Sequence, residues 1–326
     1  MLSWLPAIPY PPARSDGYWA PITSTLDWCE ENYYATRYSA EIVNSSTNLL
    51  FAWLAFKGMY NCYRNGHDRI FFLAFIGFLI VGSGSFAFHS TLKYPMQLVD
   101  ELSMIYTTCL MFWATFGYDR GIAVKWALGF FTAGIALGIT AYYHYSQDPT
   151  FHQNAYAVLT ALVLFRSMYV MEVRLRPYFR RGRLANEKIG KGGVVSEVDR
   201  REEARKDVRD AEIIKQMWFM VGLGLTIFLG GFAIWSIDNE YCSTIRRWRH
   251  KIGLPWGILL EGHGWWHLMT GLGAYTYIVW GVWLRHCLNG KADEYELDWP
   301  NIWTSVPEIV KAKRKPSMNG EVKKKR

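Results

Sequence analysis

The chain has 326 residues, is 51% hydrophobic and 17% aromatic, and carries a formal net charge of +8. Its mean hydropathy of −0.02 averages long apolar blocks against very basic connectors, which excludes a simple soluble globule. No nucleic-acid motif accompanies the basic charge, so the acidic surface of a membrane is its natural counterpart.

Seven blocks, at 42–60, 70–91, 98–117, 122–143, 154–173, 216–237 and 258–286, approach the roughly 20 helical residues that cross a hydrocarbon core. The expected fold is all-α: a polytopic membrane protein built as a seven-transmembrane helical bundle. A segment 1–41 precedes the bundle, the domain 42–286 contains a connector at 174–215, and a basic tail covers 287–326. Met1 to Thr25 has no continuous apolar core, so no cleavable signal peptide is expected. Of the 36 Lys and Arg, seven fall on the N-terminal side, among them Arg246, Arg247, Arg249 and Lys251, and 26 on the other. Positive charge stays in the cytosol, which predicts a lumenal N-terminus and a cytosolic C-terminus.

Ahead of the first span, Asp27-Trp-Cys-Glu-Glu-Asn32 and then Glu41 concentrate oxygen donors. Irregularly spaced hard oxygens suit a calcium ion, and acids in front of a helix also suit its N-terminal dipole. Span 1 opens on the polar run Asn44–Asn48, which must face protein or water rather than lipid. Asn44-Ser45-Ser46 is formally a glycosylation sequon but lies at the membrane boundary. In span 2, Gly77, Gly82 and Gly84 permit close helix contact, and Ser85 and His89 share a face. Asp100 and Glu101 stand at the mouth of span 3, His144 and His152 read as interfacial residues, and Arg166 in span 5 has no evident partner. The charged run 198–213 reads as a solvated helix leading into span 6. Of five cysteines, Cys29 and Cys242 alone fall in lumenal segments, where a disulfide is permitted; the two are expected to pair. In Glu261-Gly-His-Gly-Trp-Trp-His267, His263 and His267 stand four apart, so one helix face offers both imidazoles to a metal ion or to neighbouring helices. The tail Lys323–Arg326 has the form of a dilysine retrieval signal for the endoplasmic reticulum; its bland reading is a basic tail drawn to acidic lipid.

The topology brings His89, Asp100 and His263 to the same ends of three spans. Ionisable groups inside a bilayer are costly and point to function. With His267, the imidazoles form a three-histidine set with an open position, as in hydrolytic zinc sites. Asp100 is then placed as general base and Ser85 as a hydrogen-bond donor to a developing oxyanion. A site at the membrane, walled by Phe and Trp, suits an amide or ester of a long-chain acid.

At these residues the chain resembles the alkaline ceramidases. The resemblance rests on Ser85-Phe-Ala-Phe-His89, Asp100 and Gly262-His-Gly-Trp-Trp-His267, and extends over residues 15–290. It implies zinc on His89, His263 and His267, with Asp100 and Ser85 catalytic. It implies calcium on Asp27, Glu30, Asn32, Glu41 and the backbone carbonyl of Trp28, and a Cys29–Cys242 disulfide. The activity implied is hydrolysis of a ceramide-type lipid to a sphingoid base and a fatty acid, with the reverse condensation also open. The long connector and basic tail are similar to fungal members acting on phytoceramide or dihydroceramide. Two rivals stand beside this reading. Receptors of the adiponectin-receptor type share seven spans and a three-histidine zinc site but have the opposite orientation. A transporter would need internal repeats or broken helices, and no repeat is present.

Overall fold

A computed structural model describes residues 6–179 and 197–313. The tail Lys323–Arg326 and the stretch 180–196 of the connector lie outside the described residues. The apolar blocks form helices: α1 Ile42–Thr47, α2 Leu49–Asn65, α3 Arg69–Thr91, α4 Tyr94–Phe116, α5 Ile122–Ser146, α6 Pro149–Leu175, α7 Glu197–Glu240, α8 Cys242–Ile252 and α9 Gly262–Leu288. A 3-10 turn, Trp256–Leu260, leads into α9. Starts and stops follow local chemistry. Asp68 and Asp148 accept the first free amides of α3 and α6, from Ile70 and Thr150. Gly66, at φ 68°, closes α2 in the left-handed conformation that glycine adopts without strain.

Among the described residues, four helical stretches are long and apolar enough to cross a membrane: Arg69–Thr91, Ile122–Ser146, Pro149–Leu175 and Arg200–Glu240. The comparably long α4 carries Gln97, Asp100 and Glu101, and α9 carries His263 and His267 among many Gly, Tyr and Trp residues. Large apolar side chains such as Phe130, Phe131, Phe165 and Leu229 are exposed on the outer faces of α5, α6 and α7, the pattern expected where lipid rather than water surrounds the helices. Inside, Phe51, Phe71, Phe75, Met217, Tyr275, Trp280 and Trp283 pack as one core.

Several expectations are corrected. The first apolar block is not one helix: it breaks at Asn48 into α1 and α2. The charged run 198–213 does form the helix expected to lead into span 6, exposed over most of its described side chains. It is continuous with span 6 in the 44-residue α7, about 66 Å long at 1.5 Å per residue, and buries Asp207 and Asp210. His152 is not interfacial but buried, its Nε2 2.8 Å from the Glu101 carbonyl. Glu101 is likewise buried, accepting from Tyr143 and from Gln97. Arg166 sits over the rings of Phe116 and Tyr169. The fold is also not purely helical. Part of the basic tail forms an antiparallel hairpin, β1 Tyr295–Asp298 with β2 Glu308–Lys311, Tyr295 opposite Lys311.

That hairpin docks on the ends of α2 and α9. Tyr295 stacks on His286 with ring centroids 3.6 Å apart, and its hydroxyl donates to the Asn65 carbonyl. His286 Nε2 lies 2.8 Å from His67 Nδ1, and Lys57 pairs with Glu308 at 2.6 Å. Burial pushes the His67 imidazole down to about 4 from its ordinary 6.5. A depressed histidine stabilises the fold above its ordinary value, and that contribution is lost as pH falls through the folded value. Protection of the 295–311 amides, corrected for intrinsic exchange rate, is therefore expected to fall between pH 6.5 and about 4. Constant protection across that window would show that the imidazole does not hold the hairpin.

Candidate functional site

The site begins where α3 meets α4. A Cβ on Gly84 would lie 3.1 Å from the Asp100 backbone nitrogen and 3.2 Å from its Cα, so glycine lets the two helices approach this closely without a shift. The contact puts Ser85 beside Asp100, and the hydroxyl and carboxylate interact. One turn further along α3, His89 is buried. From α9, His263 and His267 project from one face, their ring centroids 4.7 Å apart. Both face His89, at 4.9 and 4.8 Å between centroids. One ring nitrogen from each of the three lies within 4.8 Å of the others, and all three residues are buried.

Two of the rings are oriented from outside. His89 Nδ1 lies 2.5 Å from Glu41 Oε2, and the same carboxylate accepts from Asn44 Nδ2 at 2.9 Å and, through Oε1, from the Trp28 amide. His267 Nδ1 lies 3.0 Å from the Asn44 carbonyl. The break at Asn48 makes that carbonyl available. The Asn48 amide turns to Ser45 O instead of pairing with Asn44 O, which then also accepts from Asn48 Nδ2 and Thr47 Oγ1. An Nδ1–H donated to a carboxylate or carbonyl leaves Nε2 with its lone pair, the arrangement of imidazoles that ligate metal. Ser85 Oγ lies 3.5 Å from His267 Nε2 and accepts from Asn48 Nδ2 at 3.0 Å. Three neutral imidazoles and no carboxylate in the set fit zinc far better than magnesium or calcium.

The acids ahead of α1 lie close by. Glu30 accepts the Val43 and Asn44 amides at 2.7 and 2.8 Å, so it caps α1. Burial and then the charge of Glu41 push Glu30 up to about 8, a strain that a nearby cation would relieve. Asn32 donates to Asp27, and its Oδ1 is buried without a partner among the described residues. The Trp28 carbonyl accepts from Arg246 at 3.1 Å. Cys29 and Cys242 are joined by a disulfide, Cα atoms 5.4 Å apart. Glu41 therefore stands between the two sets of candidate ligands. Its contact with His89, the tie from Asn44 to His267, and the inward-facing Arg249 were not anticipated from sequence. The signals were there in the polar run 44–48 and in the basic cluster 246–251, which breaks the charge rule.

A family model described as Ceramidase matches residues 20–310. The chain belongs to the ceramidase family. It is similar to "Alkaline ceramidase 3" of Mus musculus, 32% identical over 84% of this chain and 89% of that protein. It is 33% identical to "Alkaline ceramidase YPC1" of Saccharomyces cerevisiae, over 94% of this chain and 90% of the relative. A plant relative, "Alkaline ceramidase" of Arabidopsis thaliana, is 25% identical over 79% of the chain and 82% of its own length. The receptor-type alternative is not favoured by these matches.

If Glu41 orients His89 for a metal, Glu41→Gln weakens metal retention by about tenfold or more. Metal content after dialysis against a chelator series measures it. Retention equal to wild type would assign Glu41 to the N-terminal segment alone.

Proposed function

We propose that this ceramidase-family protein is a zinc-dependent amidase that cleaves a ceramide inside a seven-span bundle of the endoplasmic reticulum membrane. Its N-terminus is lumenal and its C-terminus cytosolic. The observation that carries the reading is the meeting of three buried imidazoles with Ser85 and Asp100 in a chain whose relatives are named ceramidases. The seven spans are α1 with α2, α3, α4, α5, α6, α7 and α9, and the charge bias sets their direction.

His89, His263 and His267 would hold the zinc, whose Lewis acidity polarises a carbonyl and makes water nucleophilic near neutral pH. The remaining work falls to the chain's own side chains. Asp100, half-buried and beside Ser85, takes the proton of the attacking water and returns it to the departing amine. Ser85 Oγ donates to the oxygen that becomes negative. Water's oxygen joins the acyl carbon as the C–N bond breaks, giving a fatty acid and a free sphingoid amine. The same groups in reverse serve condensation.

An apolar wall supports a lipid substrate. The Trp28 ring lies 4.5 Å from His263 and 5.7 Å from Trp235, which adjoins Phe232 and Trp266. Phytoceramide and dihydroceramide are the substrates favoured by the likeness to fungal members. Calcium, on Asp27, Glu30, Asn32, Glu41 and the Trp28 carbonyl, would steady the carboxylates behind His89.

His263→Ala is expected to lose both zinc and turnover in purified protein assayed on ceramide, dihydroceramide and phytoceramide. Asp100→Asn should keep the zinc while losing about 10²-fold or more in rate. Full turnover by a zinc-free His263→Ala protein would end the assignment. Calcium chelation should lower activity reversibly at constant zinc content; indifference to chelation would leave the N-terminal acids as caps.

A further inference from the structure

His89 and His267 each have Nδ1 tied to a neighbour, whereas His263 Nδ1 is buried with no hydrogen-bond partner among the described residues. Its ring must be fixed by other means. His263 is the second residue of α9, so the placement of that helix end sets where the ring begins. Glu261, at the cap position, makes no side-chain cap bond. The carboxylate of Asp238, near the end of α7, packs against Gly262 at the start of α9 instead. The approach is close: a Cβ on Gly262 would lie 2.7 Å from Asp238 Cβ.

Asp238 is gripped in turn by Arg249 of α8. The guanidinium is fully buried, with Nη2 3.4 Å from Asp238 Oδ1 and 2.8 Å from Glu261 Oε2, and Nη1 3.1 Å from Glu31 Oε2. Nη1 also donates to the Cys29 carbonyl at 2.7 Å, and Tyr10 donates to Glu261 at 2.6 Å. Buried ion clusters of this kind are often no more stable than apolar packing, so stability alone is a weak reason for one here. Its position supplies a better reason. Nη2 reaches Asp238, the Leu260 carbonyl and Glu261, the groups that lead into the first turn of α9.

We propose that Arg249 and Asp238 are a positioning pair for His263. The guanidinium holds Asp238 against Gly262, the first residue of α9, and so aims the imidazole whose Nδ1 has no hydrogen bond among the described residues. Arg246 braces the same ring from the other side, through the Trp28 carbonyl and the indole that lies against His263. Neither arginine touches the reacting groups; both act through His263. The inference rests on the three-imidazole metal reading above.

The test uses the full-length, disulfide-bonded protein loaded with Co2+, whose visible absorption reports ligand geometry. Asp238→Asn and Arg249→Lys should both shift the cobalt bands and weaken metal binding by about tenfold. Asp238→Asn keeps the shape and an acceptor oxygen and removes only the charge that Arg249 grips, so it serves if Arg249→Lys fails to fold. Unchanged bands and affinity, with only a lower melting temperature, would overturn the proposal and reduce the pair to a structural tie. Wild type and His263→Ala are the controls. Should wild type take up no cobalt, or His263→Ala bind as much as wild type, the metal reading falls and the positioning pair with it. Normal wild-type uptake with indifferent Asp238 and Arg249 variants sinks the pair alone.

Discussion

The contact between Glu41 and His89 is the constraint on which the architecture around the site depends. One carboxylate, fully buried, gathers the Trp28 amide, the Asn44 side chain and an imidazole of α3. That fixes the six-residue α1 against α3, and α1 in turn presents the Asn44 carbonyl to His267. Two of three imidazoles are therefore oriented through a single short helix. A buried carboxylate without such partners would cost several kcal/mol in desolvation; its donors make it tolerable and at the same time specify where each ring points.

The same logic explains the basic cluster 246–251, which runs against the bias of positive charge toward the cytosol. Arg249 is fully buried among carboxylates, and Arg246 donates to the carbonyls of Trp28, Cys29 and Glu30. These two charges are satisfied inside the folded protein.

Much of the helical framework was legible because it follows a period. His263 and His267 share a face by their spacing of four, as do Ser85 and His89, and long apolar runs announce their helices. The structure gathers the imidazoles that this spacing singled out. What periodicity does not encode is which distant side chains meet. Glu41 and His89 are 48 residues apart, and Asn44 and His267 are 223 apart; no local pattern specifies either contact. His152 looked interfacial because it begins an apolar block, yet Glu101 draws it inward. The hairpin escaped notice because its four-residue strands sit in a tail whose charge dominates its reading, and because it is anchored by His67, Lys57 and Tyr275, residues far from it in sequence.

The disulfide between Cys29 and Cys242 spans 213 residues. Its first cysteine is made early, but its second emerges only after α7 is complete, so the covalent clasp cannot close until most of the chain has been synthesised and inserted. Beside the clasp, Trp28 lies against His263, and Arg246 donates to the Trp28 carbonyl. Completion of the site is thus tied to a late oxidation: a chain arrested before α8 would have its N-terminal segment held to α3 and α4 by contacts such as Glu41–His89, but without the covalent clasp.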